Sequence, residues 1–415
     1  MPVPIPEALS GRLSPLMATR ARRRMTVIAA SALLFSVFAV GMDVMLPLWT
    51  TGALGCDAAD WAHLRSLRTL GMLFGVIVLG ALSDRFGQRL LGAISMLGVA
   101  AILTLLSLGP ARTVWLVMPI YGGLVSTAYV NLNTLTQQIS DRRQGLANTV
   151  YRSIGAAAGI GAPVAVTRLA GVWRGYPPVF LVLAAVLVIA AAVLMLYPGE
   201  PIPAPLGGWR AEVRRLWQGY RVALGERQLM SYIWLSQLWL NALAGVGTFA
   251  AIRFTRELGL ADQQYGTLSA LAGAAALGAT AAAGLILDRV SLRRLHVWLG
   301  CGSGLCSLLM GASDAVWLSA GAFVLFAPLG QVLNAPSSMW VSRAAGKSSQ
   351  TAAFSVHKVL AGFCAAITMV ALAALERLIG MRAIMLWGGV LGVLLGLGFL
   401  LLREPPDPQA ARRSL

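Results

Sequence analysis

The sequence predicts an all-α membrane protein with twelve transmembrane helices in two pseudo-symmetric six-helix bundles. Three observations predict it: an extreme composition, a dozen long apolar runs, and a motif that returns at a fixed interval. Of the 415 residues, 57% are hydrophobic and 12% charged. A soluble globular chain is about 45–50% apolar and about 25% charged. This balance argues against a disordered chain, a disulfide-stapled secreted domain and an ordinary soluble enzyme. Cys56, Cys301, Cys306 and Cys364 form no C-x-x-C pair. Neither a disulfide framework nor a zinc site is expected, and they read as small apolar packers.

A membrane helix needs about 20 apolar residues. In the first half such runs cover 25–48, 64–82, 89–109, 114–137, 145–168 and 178–198. In the second half they cover 230–252, 265–287, 294–312, 315–340, 350–374 and 383–402. The expected organisation is a tail at 1–24, a bundle at 25–198, a linker at 199–229, a bundle at 230–402 and a tail at 403–415. The first run is too long for a signal-peptide core and has no cleavage site, so it is expected to be retained.

The loops fix orientation. With the N-terminus inside, 22 of the 33 Lys and Arg residues fall in inner segments and 7 in outer loops. Cytoplasmic loops carry the excess of positive charge, so both termini are expected in the cytoplasm and the protein in the cell inner membrane. The net charge of +17 is thereby topological, with no nucleic-acid partner implied. The linker opens with Pro198, Pro201, Pro203 and Pro205 and continues through a basic amphipathic run from Trp209 to Trp217. That run fits either a helix on the lipid surface or a solvated connection.

The loop after the second run reads Gly80-Ala-Leu-Ser-Asp84-Arg85-Phe-Gly87-Gln-Arg89. The loop after the eighth reads Gly284-Leu-Ile-Leu-Asp288-Arg289-Val-Ser291-Leu-Arg293. Thr149-Val-Tyr-Arg152 is echoed similarly by Ser355-Val-His-Lys358. Two echoes in nearly one register indicate a six-plus-six duplication, a known transporter plan. The first loop resembles the signature of the major facilitator superfamily, Gly-x-x-x-Asp-Arg-x-Gly-x-Arg, with Ser291 replacing the second glycine of the other copy. The resemblance implies two bundles rocking about a midplane cavity. Gly80, Asp84, Arg85, Gly87, Arg89, Asp288 and Arg289 would form the gating motif, with Asp84 accepting from a helix start or pairing with an Arg.

A charge at membrane depth costs roughly 2.5–3.5 kcal/mol on insertion scales, so each is a functional candidate. Asp43 lies in the first run, with Arg65 and Arg68 at the same depth as its expected partners. Such a carboxylate can exchange a proton for an ion pair and couple protons to transport, or it can be one half of a static pair. Asp43-Val-Met-Leu46-Pro47 resembles the Asp-x-x-Leu-Pro of drug/proton antiporters. Arg152 and Lys358 occupy equivalent places in the two halves and are expected on opposite cavity walls, or else to snorkel inward or meet a carboxylate. Two cations there favour an anionic or polyhydroxylated ligand. The Arg152-to-Pro163 spacing resembles helix 5 of sugar efflux transporters.

Asn131, Thr134 and Gln138 share one helical face, as do Gln331, Asn334 and Ser338, with Gln237 and Asn241 on a third helix. These groups line a substrate cavity or bond between helices. Tyr129, Tyr151 and His357 are weaker candidates. Gly71/Gly75, Gly155/Gly159 and Gly388/Gly392/Gly396 mark close helix packing, and Pro163, Pro328 and Pro336 mark hinges. The function expected is secondary transport of a small organic molecule by a monomer, coupled to protons, with export favoured and uptake of an organic anion, sugar or metal chelate the alternative. No cofactor or metal is implied. A membrane enzyme lacks its cluster, because His63, His296 and His357 are dispersed and no P-loop occurs.

Overall fold

Apolar runs of this length fold as helices because a bilayer offers the backbone no hydrogen-bond partner outside its own segment. The computed structural model describes residues 7–79, 82–83, 86–110, 112–138, 144–198, 218, 221–222, 224–286 and 290–405. Most of the 199–229 linker, including the amphipathic run, lies outside them. Among the described residues the regular structure is helical, with no strand. In chain order the helices are α1 (Glu7–Leu48), α2 (Ala58–Phe74), α3 (Gln88–Leu108), α4 (Thr113–Gln138), α5 (Gln144–Val172) and α6 (Pro177–Met195). They continue as α7 (Arg227–Ala242), α8 (Ala244–Ile252), α9 (Asp262–Ile286), α10 (Leu292–Ala312) and α11 (Val316–Gly398). Ten stretches among the described residues are long and apolar enough to cross a membrane. Large apolar side chains face outward on many of them, such as Leu116, Trp317 and Leu378, as lipid contact demands.

Local chemistry sets several boundaries. α2 starts six residues before the expected 64, because Asp57 and Asp60 form a capping box. The Asp60 amide donates to Asp57 Oδ1 at 2.6 Å, and the Asp57 amide donates to Asp60 Oδ2 at 3.4 Å. That satisfies two of the donors a helix start leaves open. α6 starts at Pro177, where a missing N–H costs nothing. Wider, i→i+5 turns follow α2 at Gly75–Leu79, α1 at Trp49–Ala53 and α8 at Arg253–Glu257, and the last two are matched in the repeat. These two turns lie 204 residues apart, the offset of the motif repeat, so the duplication reaches the backbone geometry. The second turn draws Arg253 into the helical run. Hydropathy puts this residue in an outer loop, yet it is 1% exposed and donates to Glu257 and, at 2.7 Å, to the Ser313 carbonyl.

α11 departs most from expectation. Its hydrogen bonding is helical over 83 residues, where hydropathy divides the chain into three runs. A straight helix of that length would extend about 125 Å. Leu329 and Gly396 nevertheless both pack on one turn of α10: a Cβ at Gly302 would lie 3.2 Å from Leu329 Cδ1, and one at Gly300 would lie 2.8 Å from Gly396 Cα. Tyr232 of α7 likewise stacks on Trp340 at 4.9 Å and meets Phe399 at 6.2 Å. The run therefore folds back on itself. Gly380, at φ +76°, sits between residues that pack separately and takes a conformation that side chains disfavour.

Glycines allow the helices to approach. In the first half, a Cβ at Gly71 would meet the Pro119 carbonyl carbon at 2.6 Å, and one at Gly75 the Gly123 Cα at 2.7 Å, so α2 lies backbone to backbone on α4. In the second half, a Cβ at Gly304 would meet the Val393 amide at 2.6 Å and one at Gly396 the Cys301 amide at 2.8 Å. Gly389 and Gly392 extend that seam, while Gly388 lies against the Ala242 carbonyl carbon of α7. Gly155 is looser, 3.8 Å from the Ser36 hydroxyl. After the last turn, Glu404 returns to the start of α10, accepting from the Ser291 hydroxyl at 2.6 Å and the Leu292 amide at 2.7 Å.

Two outcomes test this packing. Gly392→Leu should lower the unfolding temperature in detergent, because overpacking a tight seam costs about 1–3 kcal/mol. Glu404→Ala should cost about 1 kcal/mol, the usual worth of a lost helix cap, read by the same thermal unfolding. Exposed Arg403→Ala serves as the silent control.

Candidate functional site

The site starts from one anomaly on α1. Met42, Val44, Met45 and Leu46 are buried, yet the Asp43 side chain between them is 60% exposed. Asp43 is the one exposed position between Gly41 and Thr50. Pro47 follows by one turn. Its ring removes the N–H that would have met the Asp43 carbonyl, and the helix then widens at Trp49–Ala53. Thr50 and Thr51 repair part of the loss, their hydroxyls donating to the Leu46 and Pro47 carbonyls at 2.8 and 2.7 Å.

α2 supplies the cations. Arg68 Nη1 donates to Asp43 Oδ1 at 2.7 Å, and its guanidinium sits 5.5 Å from the centre of the buried Tyr121 ring of α4. Arg68 is thus held by a carboxylate on one side and an aromatic face on the other. Arg65, one turn away, does not share Asp43 as matched depth suggests. Its Nη1 donates instead to the carbonyl of Gly247 on α8. Gly247 stands 204 residues after Asp43 and, like it, is exposed between buried neighbours, here Val246 and Thr248. Beside it, Trp61 Nε1 donates to the Thr248 carbonyl at 2.9 Å.

Further contacts join residues before the linker to residues after it. Ser66 donates to the Ala366 carbonyl at 3.4 Å, and a Cβ at Gly362 would touch Leu73 at 3.1 Å. A Cβ at Gly273 would meet the Gly159 carbonyl carbon at 2.7 Å. The Tyr176 hydroxyl donates to Asp262, and Arg377 pairs with Asp60 at 3.4 Å and Asp57 at 3.9 Å. The polar contacts cluster at the end of the molecule that carries the 54–57, 173–176 and 258–261 connections.

The other sequence candidates separate. Asn131 is 1% exposed and packs against α3, its Cβ 3.4 Å from where a Cβ at Gly92 would stand. Its amide nitrogen has no partner among the described residues. Gln237 is also buried with an unpartnered amide nitrogen, while its backbone carbonyl accepts from Asn241 Nδ2 at 2.7 Å. These groups sit within the helix packing. Thr134 donates to its own helix at Val130. Gln331 is exposed and His357 half-buried. The side chains of Gln138, Tyr151, Arg152, Asn334 and Lys358 lie outside the described residues, as do Gly80, Asp84, Arg85, Asp288 and Arg289.

Gly87 and Arg89 remain of the signature loop. Gly87 adopts φ +91° as it turns into α3. Arg89 donates to the Tyr197 carbonyl at 2.8 Å, and Arg24 donates to the Pro198 carbonyl at 3.2 Å. Both cations therefore meet carbonyls left open where α6 ends, the favourable end of a helix dipole for positive charge. Among the described residues no group of three His, Cys, Asp or Glu could hold a metal ion. Sequence reasoning missed Tyr121, Trp61 and Gly247. The repeat offset was a usable signal for Gly247, because it carries Asp43 onto that position.

Comparison with known proteins follows the same lines. Among solved structures, a single-site mutant of the nucleoside transporter NupG superposes with a TM-score of 0.76 at 13% identity, over 91% of this chain and 99% of that one. A POT family transporter in complex with 5-aminolevulinic acid gives 0.74 at 15% identity, over 91% and 95%. Likeness at this identity shows a shared fold. No curated protein sequence matches the chain. The family model for the Major Facilitator Superfamily matches residues 28–255, more than half of the sequence. The chain therefore belongs to the Major Facilitator Superfamily and is a multi-pass membrane transporter.

Proposed function

We propose that the protein is a secondary active transporter that moves a small organic molecule through the inner membrane by alternating access, coupled to protons at Asp43. The observation that carries this reading is the Asp43–Arg68 pair at 2.7 Å, with the carboxylate exposed on an otherwise buried stretch, which we read as facing the transport path. A proton taken up by Asp43 removes the charge that holds Arg68, so protonation and helix arrangement are linked through one hydrogen bond. Export is the favoured direction, from the likeness of Asp43 to Pro47 to drug/proton antiporters; uptake of an organic anion, sugar or metal chelate is the alternative.

Twelve crossings in two six-helix bundles at 25–198 and 230–402 follow from two adjustments to the ten apolar stretches. α2 continues through Gly75–Leu79, long enough for an eleventh crossing. The stretch Val359–Leu401 has 43 residues, about 65 Å if straight and twice the hydrocarbon thickness, and it turns at Gly380. With both termini in the cytoplasm, the contacts of Arg65, Trp61, Tyr176 and Arg377 lie on the outer side. The arrangement then reads as an outward-sealed state, with Asp43 reached from within. Arg152 and Lys358, at equivalent places in the two halves of the sequence, favour an acidic or polyhydroxylated substrate. The relatives named for a nucleoside and for 5-aminolevulinic acid suit that choice.

The test is proton flux in vesicles containing the purified protein and driven by candidate substrates. Asp43→Asn should abolish substrate-driven proton movement while the protein still folds, and full retention would remove Asp43 from the coupling step.

A further inference from the structure

Arg65 is the polar group in this region that the coupling reading leaves unused. At its depth a charge needs a partner, and Arg68 one turn away has a carboxylate and an aromatic face. The one described hydrogen-bond acceptor of Arg65 is the neutral carbonyl of Gly247. A guanidinium carries five N–H donors in a fixed fork, and the Gly247 carbonyl engages one of them. Asp43 is close enough to act on it electrostatically but spends its described hydrogen bond on Arg68. The group therefore holds two guanidiniums against one carboxylate, an excess of one positive charge.

The surroundings leave room for something to meet that charge. Gly247 has no side chain, and a Cβ there would stand 3.5 Å from Arg65 Nη2. Gly247 is exposed between buried neighbours, as Asp43 is on α1. Two open positions on facing helices, equivalent in the duplication, flank that guanidinium.

We infer that Arg65 is the anchor for an anionic group, a carboxylate of a small organic acid, bound between α1, α2 and α8. This rests on the transport reading and sharpens its substrate class. A carboxylate forms paired, charge-assisted bonds to guanidinium that a backbone carbonyl cannot match. It also brings the charge balance of the group to zero. Because Arg65 belongs to the first half and Gly247 to the second, an anion seated there replaces or shares a bond that joins the halves. Binding of the substrate thereby acts directly on the contact that keeps the outer side shut.

The experiment uses the purified full-length protein, with benzoate as the probe and benzamide as its uncharged twin. Benzoate should raise the unfolding temperature and benzamide should not. Arg65→Gln should lose the response, Arg65→Lys should keep a weakened one, and exposed Arg294→Gln should keep it fully. Arginine modification of the wild-type protein by phenylglyoxal, mapped by mass spectrometry, needs no variant to fold: benzoate should slow modification at Arg65 and leave Arg294 unchanged. No benzoate response in the wild type, a response surviving Arg65→Gln, or equal modification of Arg65 with and without benzoate would each overturn the assignment. Proton flux is read separately. Flux intact without Arg65-dependent binding sinks this inference alone, and binding without flux sinks the transport reading alone.

Discussion

A charge placed at membrane depth must be matched from within the protein, and α2 is organised around that demand. It carries two arginines one turn apart, each worth roughly 2.5–3.5 kcal/mol against insertion if left alone. They are satisfied in different directions. Arg68 turns to its own half, where Asp43 and the Tyr121 ring hold it. Arg65 turns to the other half and reaches the Gly247 carbonyl. One helix thus ties a local ion pair to a contact between halves. Its close seat on α4 at Gly71 and Gly75 fixes where both guanidiniums begin. A larger residue at either glycine would displace the arginines together.

The duplication explains why these positions correspond and also why they differ. The wider turns at Trp49–Ala53 and Arg253–Glu257 occupy matching places, and Asp43 matches Gly247. The first copy keeps the carboxylate, and its helix break is patched by the Thr50 and Thr51 hydroxyls. The second copy has no side chain at that point and gives its backbone carbonyl to the first half. Its own charged pair sits in the turn instead, where Arg253 meets Glu257 and the Ser313 carbonyl. A shared backbone plan has been filled with different chemistry, a carboxylate in one half and a neutral acceptor in the other.

Much of this was legible in the sequence because the signals were long. Helix placement follows from apolar runs of about 20 residues, and most boundaries agree within a few residues. The departures have short-range causes. The start of α2 is set by Asp57 and Asp60, a capping box readable in the text but lying outside the apolar run that hydropathy marks. The continuity of α11 was invisible, because the stretches at 341–349 and 375–382 read as connections by hydropathy while the backbone bonding stays helical. Partner choice was the hardest. Asp43 with Arg68 follows from matched depth, but depth alone cannot separate Arg65 from Arg68: the two share one face of α2, and only their guanidiniums part, one to Asp43 and one to Gly247. Asn131 illustrates the same limit. Spacing places it with Thr134 on one face, and Gly92 draws that face toward α3.

The proline beside Asp43 links the electrostatics to motion. Pro47 frees the Asp43 carbonyl from the helix ladder, and the wider turn beyond it relaxes the end of α1. A helix weakened here bends at low cost. Its bending point coincides with the group whose charge binds α1 to α2. On the proposed coupling, neutralising Asp43 would release the tether at the place where the backbone yields, leaving the tip of α1 and the contacts of α2 free to move as one unit. An ion pair in the middle of a regular helix would lack this leverage, because the intact ladder would hold the geometry after the charge was gone.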